Sequence, residues 1–229
     1  MKVVILQSNY IPWKGYFDLL HDADVFVFYD EVKYTKNDWR NRNRIYTKDG
    51  VQWLSIPIHK DAVKQKISEV LLPETDWRND HINKLEQAYK KAPHFSQLAD
   101  LMQDIYFAGH QQLSPFNQYI IQKISAKLDC PTKIINSADL VLEGDRVERL
   151  INILKQLNAT TYISGPAAKD YLRDYEHLFS DNNITLTYKS YHYPEYKQLH
   201  QPFEQYVSIV DLIANVSWDE IQNYIWTVQ

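Results

Sequence analysis

An apolar run near the start of the chain, ending at a polar and aromatic turn, constrains the fold most. Residues 3–6, VVIL, have the composition of a buried strand, and QSNYIPWKGYFDLL at 7–20 supplies a turn and a short helix. A second apolar run, ADVFVFYDEV, follows at 23–32. A strand, a helix and a second strand in this order begin a parallel α/β sheet. Ligands bind outside the carboxyl ends of such strands, so the residues just after each strand are the first candidates for a site.

The alternation of strands and helices resumes after a helical interruption. Strands are predicted at 2–7, 24–29, 132–136, 160–164 and 184–190, and a β-hairpin at 42–58, where Asp49-Gly50 is a strong turn signal. Helices are predicted at 76–91, 96–107, 114–128, 145–157, from Pro166 onward, and at 206–214 and 217–226. We expect an α/β fold with a Rossmann-like, mostly parallel sheet, a β-hairpin and a helical insertion at about 76–129. No repeat or linker divides the sequence, which predicts a single α/β domain over residues 1–229.

Charge and cysteine content exclude several functional classes. A formal net charge of −4 and a pI near 6.1 are not those of a general nucleic-acid binder, so no nucleic-acid partner is expected. The single cysteine, Cys130, rules out a multi-cysteine metal site, and the eight histidines form no HxH or HExxH pattern, so no metal is expected. No apolar run approaches the roughly 20 residues that span a bilayer. We therefore predict no membrane span and a cytoplasmic protein.

A basic and aromatic loop follows the second strand. From Lys33 to Lys48 there are six cationic side chains and one anionic side chain. If residues 40–44 enter a strand, their alternation puts the three arginines on one face and the two asparagines on the other. An arginine fork binds phosphate through two hydrogen bonds, and the neighbouring Trp39 can stack on a ring. The functional interpretation is a clamp for the diphosphate of a nucleotide sugar or CoA-like donor, and the structural alternative is a charged edge strand that resists aggregation.

Candidate ligand-binding residues lie in the turn after the first strand, in the basic loop and after the later strands. Lys14 lies near a helix N-terminus, where backbone N–H groups favour phosphate. The 17 tyrosines and 6 tryptophans suit a sugar or nucleotide pocket as well as a core, because they pack as hydrophobic residues and keep a polar group. Ser164 has the alternative role of a helix cap. The full set is Gln7, Asn9, Tyr10, Trp13, Lys14, Lys33, Trp39, Arg40, Asn41, Arg42, Ser164, Gly165 and Tyr191.

Three residues are candidates for acid and base catalysis. Asp30 follows an apolar strand, where it could deprotonate an amine nucleophile or anchor Arg40 or Arg42 in a structural ion pair. His59 ends the hairpin, and His192 lies among tyrosines. Either histidine could be a general base, and the alternative for each is a hydrogen-bonded structural or surface residue.

The aromatic run TYKSYHYPEY at 187–196 is expected to contact the ligand from the side opposite the basic loop. Pro194 predicts that the last strand ends by about Tyr193. Along that strand Tyr191 and Tyr193 would share a face with Lys189, and His192 would point to the other face. At least one of Tyr191, His192 and Tyr193 is predicted to touch the ligand. The alternative is a packing cluster against the closing helices.

Several segments together resemble the WbqC-like proteins, a bacterial family associated with gene clusters for O-antigen and other surface polysaccharides. They are QSNYIPWKGYF, the aspartate in FVFYDEV, DWRNRNRI, the hairpin's WLSIP, YISGPAAKDYL and FEQYVSIVDLI. The resemblance runs almost from end to end and is least distinctive in the helical insertion. It implies the modification of an amino sugar, for example by attaching an acyl or aminoacyl group to a sugar amine. It brings no assigned set of catalytic residues.

The opening of the chain also resembles nucleotidylyltransferase-like and pantothenate-synthetase-like folds. Those enzymes carry an HxGH-type motif for nucleotide phosphates at the first turn. Here the turn reads Trp13-Lys14-Gly15-Tyr16 and contains no histidine. This departure argues against adenylate chemistry.

Two functions are consistent with these residues. The first is a transferase that acylates the amine of a nucleotide-linked amino sugar or similar phosphate-bearing small molecule, with an acyl carrier as a further candidate partner and the cofactor unknown. The second is a non-catalytic nucleotide-sugar-binding or scaffold protein of a polysaccharide-assembly complex. Convergence of the polar strand ends on one pocket would favour the enzyme. We predict that five residues line a common cleft: Asn9, Lys14, Asp30, Arg40 and Arg42.

Overall fold

The strands form a five-stranded parallel sheet and a separate hairpin in the computed structural model, which describes residues 1–226. In chain order they are β1 (Lys2–Leu6), β2 (Val25–Phe28), β3 (Arg42–Thr47), β4 (Gly50–Ser55), β5 (Lys133–Asn136), β6 (Thr161–Ser164) and β7 (Thr185–Tyr188). The sheet has the order β5-β2-β1-β6-β7, and its neighbouring strands are parallel. Strands β3 and β4 pair with each other and are antiparallel. The predicted α/β fold with a parallel sheet and a hairpin is confirmed.

Within residues 1–226, eight α-helices connect these strands or follow them. α1 (Lys14–His21) joins β1 to β2. The predicted helical insertion consists of α2 (Trp77–Tyr89), α3 (Phe95–Tyr106) and α4 (Leu113–Lys127). The remaining helices are α5 (Arg146–Gln156), α6 (Lys169–Leu172), α7 (Glu176–Asp181) and α8 (Ile209–Asn215).

The sheet is buried on both faces, which explains why its central strands are continuous apolar runs. Val4 and Phe26 belong to a core that also contains residues of α1, α3, α4 and α8. Val3 and Val25 belong to a second core that contains residues of α5 and α7. Burial of a side chain of this size contributes about 1.5–3 kcal/mol. The two cores therefore fix the strands whose ends carry the site.

The strand order creates a crevice at one edge of the sheet. Counted along the chain, the five parallel strands take the Rossmann order 3-2-1-4-5. The order reverses between β1 and β6, because the chain first moves outward through β2 and β5 and later through β6 and β7. Loops after β1 and β6 therefore diverge, and the space outside the carboxyl ends of these two strands is where α/β sheets bind ligands.

The hairpin presents a polar and aromatic face. Its turn depends on Gly50, whose φ of +95° is one that residues with a side chain rarely adopt. Asn43 pairs with Leu54, and both side chains are buried. The next pair, Arg44 with Trp53, consequently lies on the opposite face of the hairpin.

The last strand is shorter than predicted. β7 ends at Tyr188 and does not reach Tyr193. The next residue, Lys189, still donates its backbone N–H to the Ser164 carbonyl at 2.9 Å, and its side chain reaches the carboxylates of Asp18 and Asp22.

Two predicted helices also differ. The helix expected from Pro166 is divided into a 3-10 turn at Pro166–Ala168, α6, a second 3-10 turn and α7. The helix expected at 217–226 is only a 3-10 turn, Ile221–Tyr224.

Candidate functional site

A cleft of about 690 Å³ opens where the loops after β1 and β6 diverge. We call it the central cleft. The turn after β1 contributes Asn9, Pro12 and Trp13, and the basic loop and hairpin contribute Trp39, Asn43 and Arg44. The opposite segments contribute Pro166, Lys169, the residues from Tyr188 to His192, and Tyr206. The cleft thus lies at the switch point of the sheet, as the strand ends predict.

The turn after β1 contains strained backbone that the hairpin holds in place. Ile11 has φ of +35°, an outlier for a β-branched residue. Its carbonyl accepts hydrogen bonds from Asn43 Nδ2 at 3.0 Å and Ser208 Oγ at 2.6 Å. Strain of this kind costs about 1–3 kcal/mol and persists where the surroundings enforce it. These bonds fix the turn that carries Asn9 and Trp13 into the cleft.

One wall of the central cleft is aromatic. The Trp13 ring packs edge-on against Tyr191, with 5.0 Å between ring centroids, and lies 5.7 Å from Tyr206. Tyr206 remains 57% exposed. Aromatic rings with free edges and hydroxyl groups suit the apolar faces and hydroxyls of a sugar.

A buried ionic cluster supports this wall. Lys189 Nζ lies 2.9 Å from Asp18 Oδ1 and 2.6 Å from Asp22 Oδ2, and the Tyr193 hydroxyl donates to Asp18 Oδ2 at 2.7 Å. Burial, together with the Asp18 carboxylate, raises the pKa of Tyr193, so its hydroxyl stays a donor. Lys189 and Tyr193 both contact Asp18, and Tyr191 packs beside Tyr193, whereas His192 is exposed. These residues follow the end of β7, so the expected alternation along a strand does not apply to them.

A second concave surface of about 400 Å³, which we call the hairpin hollow, adjoins the central cleft. Its walls are Asn37, Asp38, Trp39, Arg42, Arg44 and Trp53. Trp39 and Arg44 belong to both surfaces. A ligand longer than one ring can therefore extend from the hollow into the cleft.

The three arginines of the basic loop differ in their partners. Arg40 Nη1 donates to Asn9 Oδ1 at 2.6 Å, and Arg40 Nη2 pairs with Asp38 Oδ2 at 3.0 Å. Although burial acts to raise it, the pKa of the Asp38 carboxyl lies below its ordinary value because of Arg40 and neighbouring hydrogen bonds. Among residues 1–226, Arg42 and Arg44 form no ion pair, and their buried Nε atoms have no hydrogen-bond partner. These two guanidinium groups are available to an anion.

The structure brings some of the sequence candidates to these surfaces. Asn9, Trp13, Trp39, Tyr191 and His192 line the central cleft, and Arg42 lines the hairpin hollow. Arg40 lies behind them, bonded to Asn9.

Asp30 does not line the cleft. It is 1% exposed, and its carboxylate accepts hydrogen bonds from the Ser8 backbone N–H at 2.8 Å, the Ser114 hydroxyl and Gln118 Nε2 at 3.0 Å. Neither the expected amine-activating role nor the expected ion pair with Arg40 or Arg42 matches this geometry. Asp30 instead ties the end of β1 to α4.

Lys14 also lies behind the cleft, not at a phosphate site. Its side chain is buried, with Nζ 4.5 Å from the centroid of the Tyr193 ring and 5.3 Å from that of Tyr196. Burial lowers the pKa of Lys14 to about 8, although the nearby Asp211 opposes the shift. The first turn of α1 packs inward, so Lys14 lines neither concave surface, contrary to the expectation of a phosphate-binding position.

Several other candidates are structural. The fully buried Tyr10 bonds to His81 Nδ1 at 2.7 Å and to the Tyr106 hydroxyl. Asn41 is buried and donates to the Ile56 carbonyl at 2.9 Å. These side chains therefore do not reach a ligand in the cleft.

The remaining candidates are spread over different environments. Ser164 is buried, and Gly165 lies beside the Tyr191 hydroxyl. Gln7 is half-buried, and its backbone carbonyl accepts from the Tyr16 hydroxyl. Lys33 is exposed and forms a backbone bridge with Lys66. His59 is exposed beside Asp61 and lies outside both concave surfaces.

Twelve residues of these surfaces were not among the candidates, and four of them, Arg44, Trp53, Lys169 and Tyr206, have prominent side chains there. Arg44 belongs to the same alternation as Arg42, and Trp53 lies opposite it in the hairpin, so both had a sequence signal. Lys169 and Tyr206 lie in segments that carry the family resemblance, but only the tertiary fold brings them to the cleft.

The part of the chain that the structure describes offers neither a membrane-spanning helix nor a cluster of metal ligands. No helix within residues 1–226 has the length and apolar character needed to cross a bilayer. In the same part of the chain, no group of three or more His, Cys, Asp or Glu residues is placed to hold a metal ion.

Comparison with known proteins identifies relatives that match most of the chain. The model of the WbqC-like protein family matches residues 7–223. A protein of Mycobacterium tuberculosis (strain ATCC 25618 / H37Rv), described as uncharacterized protein Rv1507c, is 45% identical over 218 residues, which cover 94% of each chain. No solved structure matches the chain.

Proposed function

We propose that this chain, which belongs to the WbqC-like protein family, is a transferase that acylates the amine of a phosphate-bearing amino sugar. The observation that carries the proposal is that Arg42 and Arg44 have no acidic partner within residues 1–226, while Arg42 lines the hairpin hollow and Arg44 lines both the hollow and the central cleft. Both residues are half-buried and their Nε atoms are buried, so an anion bound to these guanidinium groups would supply charge-assisted hydrogen bonds that the protein itself does not provide there. The expected substrate is a nucleotide-linked amino sugar, and the expected setting is O-antigen or other surface polysaccharide biosynthesis in the cytoplasm.

The walls of the cleft support a sugar as the ligand. Arg44 belongs to both concave surfaces, so a phosphate bound there lies next to the aromatic wall of Trp13, Tyr191 and Tyr206. An amino sugar attached to that phosphate would reach the wall, where the rings cover its apolar face and the tyrosine hydroxyls bond to its polar groups.

The reaction needs an activated acyl donor and a proton acceptor. In the proposed step the sugar amine attacks the carbonyl carbon of a thioester donor, a C–N bond forms, and the C–S bond breaks with its electron pair on sulfur. The amine proton passes to His192, the exposed cleft residue able to accept it. Holding both reactants in one cleft supplies much of the rate through effective molarity.

A second candidate function is ligand retention without catalysis. His192 forms no hydrogen bond with another residue of 1–226, so no neighbouring group orients its ring as general bases usually require. This observation favours a binding or scaffold protein of a polysaccharide-assembly complex, in which the cleft retains a nucleotide sugar.

Mass spectrometry of the products separates the two candidates. The protein is incubated with UDP-glucosamine and either acetyl-CoA or an aminoacyl thioester of CoA. We expect an N-acylated sugar, with its rate reduced at least about 100-fold in His192→Gln and the affinity for UDP-glucosamine retained. The control His177→Gln alters an exposed histidine outside both concave surfaces and should leave the rate unchanged. Binding without any product would support the retention function and contradict the transferase.

A further inference from the structure

We infer that the hairpin hollow is a nucleoside diphosphate subsite, in which Trp39 and Trp53 stack on the base and Arg42 and Arg44 hold the diphosphate. The inference rests on the proposed function, because it states which part of the phosphate-bearing ligand enters the hollow. It also assigns a role to Trp53, which lies outside the central cleft.

The tryptophans are arranged for stacking on an outer face. Trp39 is 41% exposed and Trp53 is 46% exposed, although both are large apolar rings. Their centroids are 5.5 Å apart with 43° between the ring planes. Rings this close are already in contact, so a base cannot fit between them and must lie on their open faces. Stacking of this kind accepts any base, because every base has a π face.

The arginines are placed where the phosphates of such a nucleotide would lie. Arg44 is directly opposite Trp53 in the hairpin, and Arg42 is two residues earlier on the same face. The Arg42 guanidinium lies 4.1 Å from the centroid of the Trp53 ring and covers one face of it. A base would therefore stack on the other face of Trp53 and on the ring of Trp39. Each arginine can present two parallel N–H groups to a phosphate.

The polar groups of the hollow add a means of contacting the base edge. Asp38 is already engaged by Thr35, the Trp39 backbone N–H and Arg40. Asn37 is exposed in a turn with φ of +59° and lies in the wall of the hollow. Its amide supplies both a donor and an acceptor, which suits the edge of a base.

The shared wall determines how the rest of the ligand runs. Trp39 and Arg44 line both surfaces, so a group attached to the diphosphate continues into the central cleft. A nucleoside diphosphate is common to nucleotide sugars and to CoA. The hollow therefore receives either the sugar substrate or the acyl donor, and the experiment distinguishes them.

Isothermal titration calorimetry with four probes tests the subsite: UDP, ADP, CoA and inorganic pyrophosphate. In Trp53→Leu we expect the tightest nucleotide probe to bind about tenfold more weakly or worse, while pyrophosphate binding changes less than about twofold. Trp53→Phe keeps an aromatic face and should stay within about threefold of the wild type. The control Phe107→Leu alters an apolar ring that is 50% exposed and outside the hollow, and should change nothing. Thermal melting confirms that each variant is folded.

Each outcome bears on the inference. A preference for UDP assigns the hollow to the sugar nucleotide, and a preference for ADP or CoA assigns it to the acyl donor. If Trp53→Leu weakens pyrophosphate as much as the nucleotides, Trp53 only supports Arg42 and stacking is contradicted. Absence of nucleotide binding by the wild type also overturns the subsite. If the protein acylates the sugar but Trp53→Leu binds nucleotides as the wild type does, only the subsite is contradicted. If nucleotide binding depends on Trp53 but no sugar is acylated, only the transferase is contradicted.

Discussion

Lys14 and Arg44 carry the same formal charge but lie in opposite environments. The amine of Lys14 is buried against two tyrosine rings and has no hydrogen-bond partner among the residues described, whereas Arg44 lines two concave surfaces. Burial lowers the pKa of Lys14 to about 8, so this side chain can lose its charge. Arginine keeps its charge in every environment, and an unpaired arginine beside a cleft therefore attracts an anion.

The buried amine makes stability depend on pH at alkaline values. The pKa of Lys14 is about 8 in the fold and 10.5 ordinarily, so between these values the unfolded chain binds more protons. The free energy of unfolding should therefore rise with pH through this window. Lys14→Met fills the space without an amine and should lose this rise, which is about 1–2 kcal/mol between pH 8 and about 9.5. Urea unfolding of both proteins measures this rise in the free energy of unfolding.

The control Lys91→Met alters an exposed lysine and should behave like the wild type. If the free energy of unfolding depends on pH equally in the wild type and Lys14→Met, the amine of Lys14 is not buried.

A buried histidine, His81, should make stability depend on pH at acidic values. Burial lowers the pKa of His81 from 6.5 to about 4. As pH falls from 6.5, the unfolded chain takes up a proton that the folded chain does not, so stability is lost down to about pH 4. Between pH 6.5 and about 4, the free energy of unfolding of His81→Gln should fall by about 2–3 kcal/mol less than that of the wild type. In His177→Gln it should fall as much as in the wild type. If the free energy of unfolding of His81→Gln depends on pH as that of the wild type does, the burial of a neutral imidazole is contradicted.

Among the elements, the hairpin carries most of the groups on which the proposed site depends. One face of β3 and β4 bears Arg42, Arg44 and Trp53, and on the other face Asn43, Ile45 and Leu54 are buried. Asn43, on the buried side, bonds to the backbone of the turn after β1. The hairpin therefore positions its own cationic face and also the turn that supplies Trp13 to the cleft.

The hairpin turn can be perturbed without touching a ligand-binding side chain. Gly50 has φ of +95° and Gly109 has φ of +83°, and a Cβ at either would meet no atom within 4 Å. Gly50→Ala and Gly109→Ala should each lower stability by about 1–2 kcal/mol through backbone strain alone. Only Gly50→Ala should also weaken UDP binding, because it disturbs the strands that carry the arginines. Equal binding by the two variants in calorimetry would mean that hairpin geometry does not control the site.

For the whole molecule, the site is a product of topology. The switch in strand order between β1 and β6 opens the cleft, and two cores hold the strands on either side of it. The buried cluster of Lys189 with Asp18 and Asp22 connects the segment after β7 to α1. Breaking such a pair is costly because an uncompensated charge stays buried. This cluster therefore fixes the segment that carries Tyr191 of the aromatic wall to α1, which follows the turn that carries Asn9 and Trp13.

Sequence patterns predicted the elements and the edge of the sheet that carries the cleft, but not the direction of each side chain. Asn9 and Trp13 reach the cleft, whereas Asp30, in an equivalent position after β2, is enclosed by Ser8, Ser114 and Gln118. A residue after a strand can face the crevice or the insertion that covers it, and local sequence does not distinguish the two. α4, which encloses Asp30, arrives from a distant part of the chain.

Calorimetric titration with UDP-glucosamine tests the central claim, that Arg42 and Arg44 bind an anionic sugar nucleotide. We compare the wild type with the double variant Arg42→Gln/Arg44→Gln and with Arg173→Gln, an exposed arginine paired only loosely with Asp170. Charge-assisted hydrogen bonds contribute about 1.5–3 kcal/mol each, so the double variant should bind at least about 100-fold more weakly. Arg173→Gln should bind as the wild type does. Equal affinity of the double variant and the wild type, or no binding by the wild type, would contradict the account.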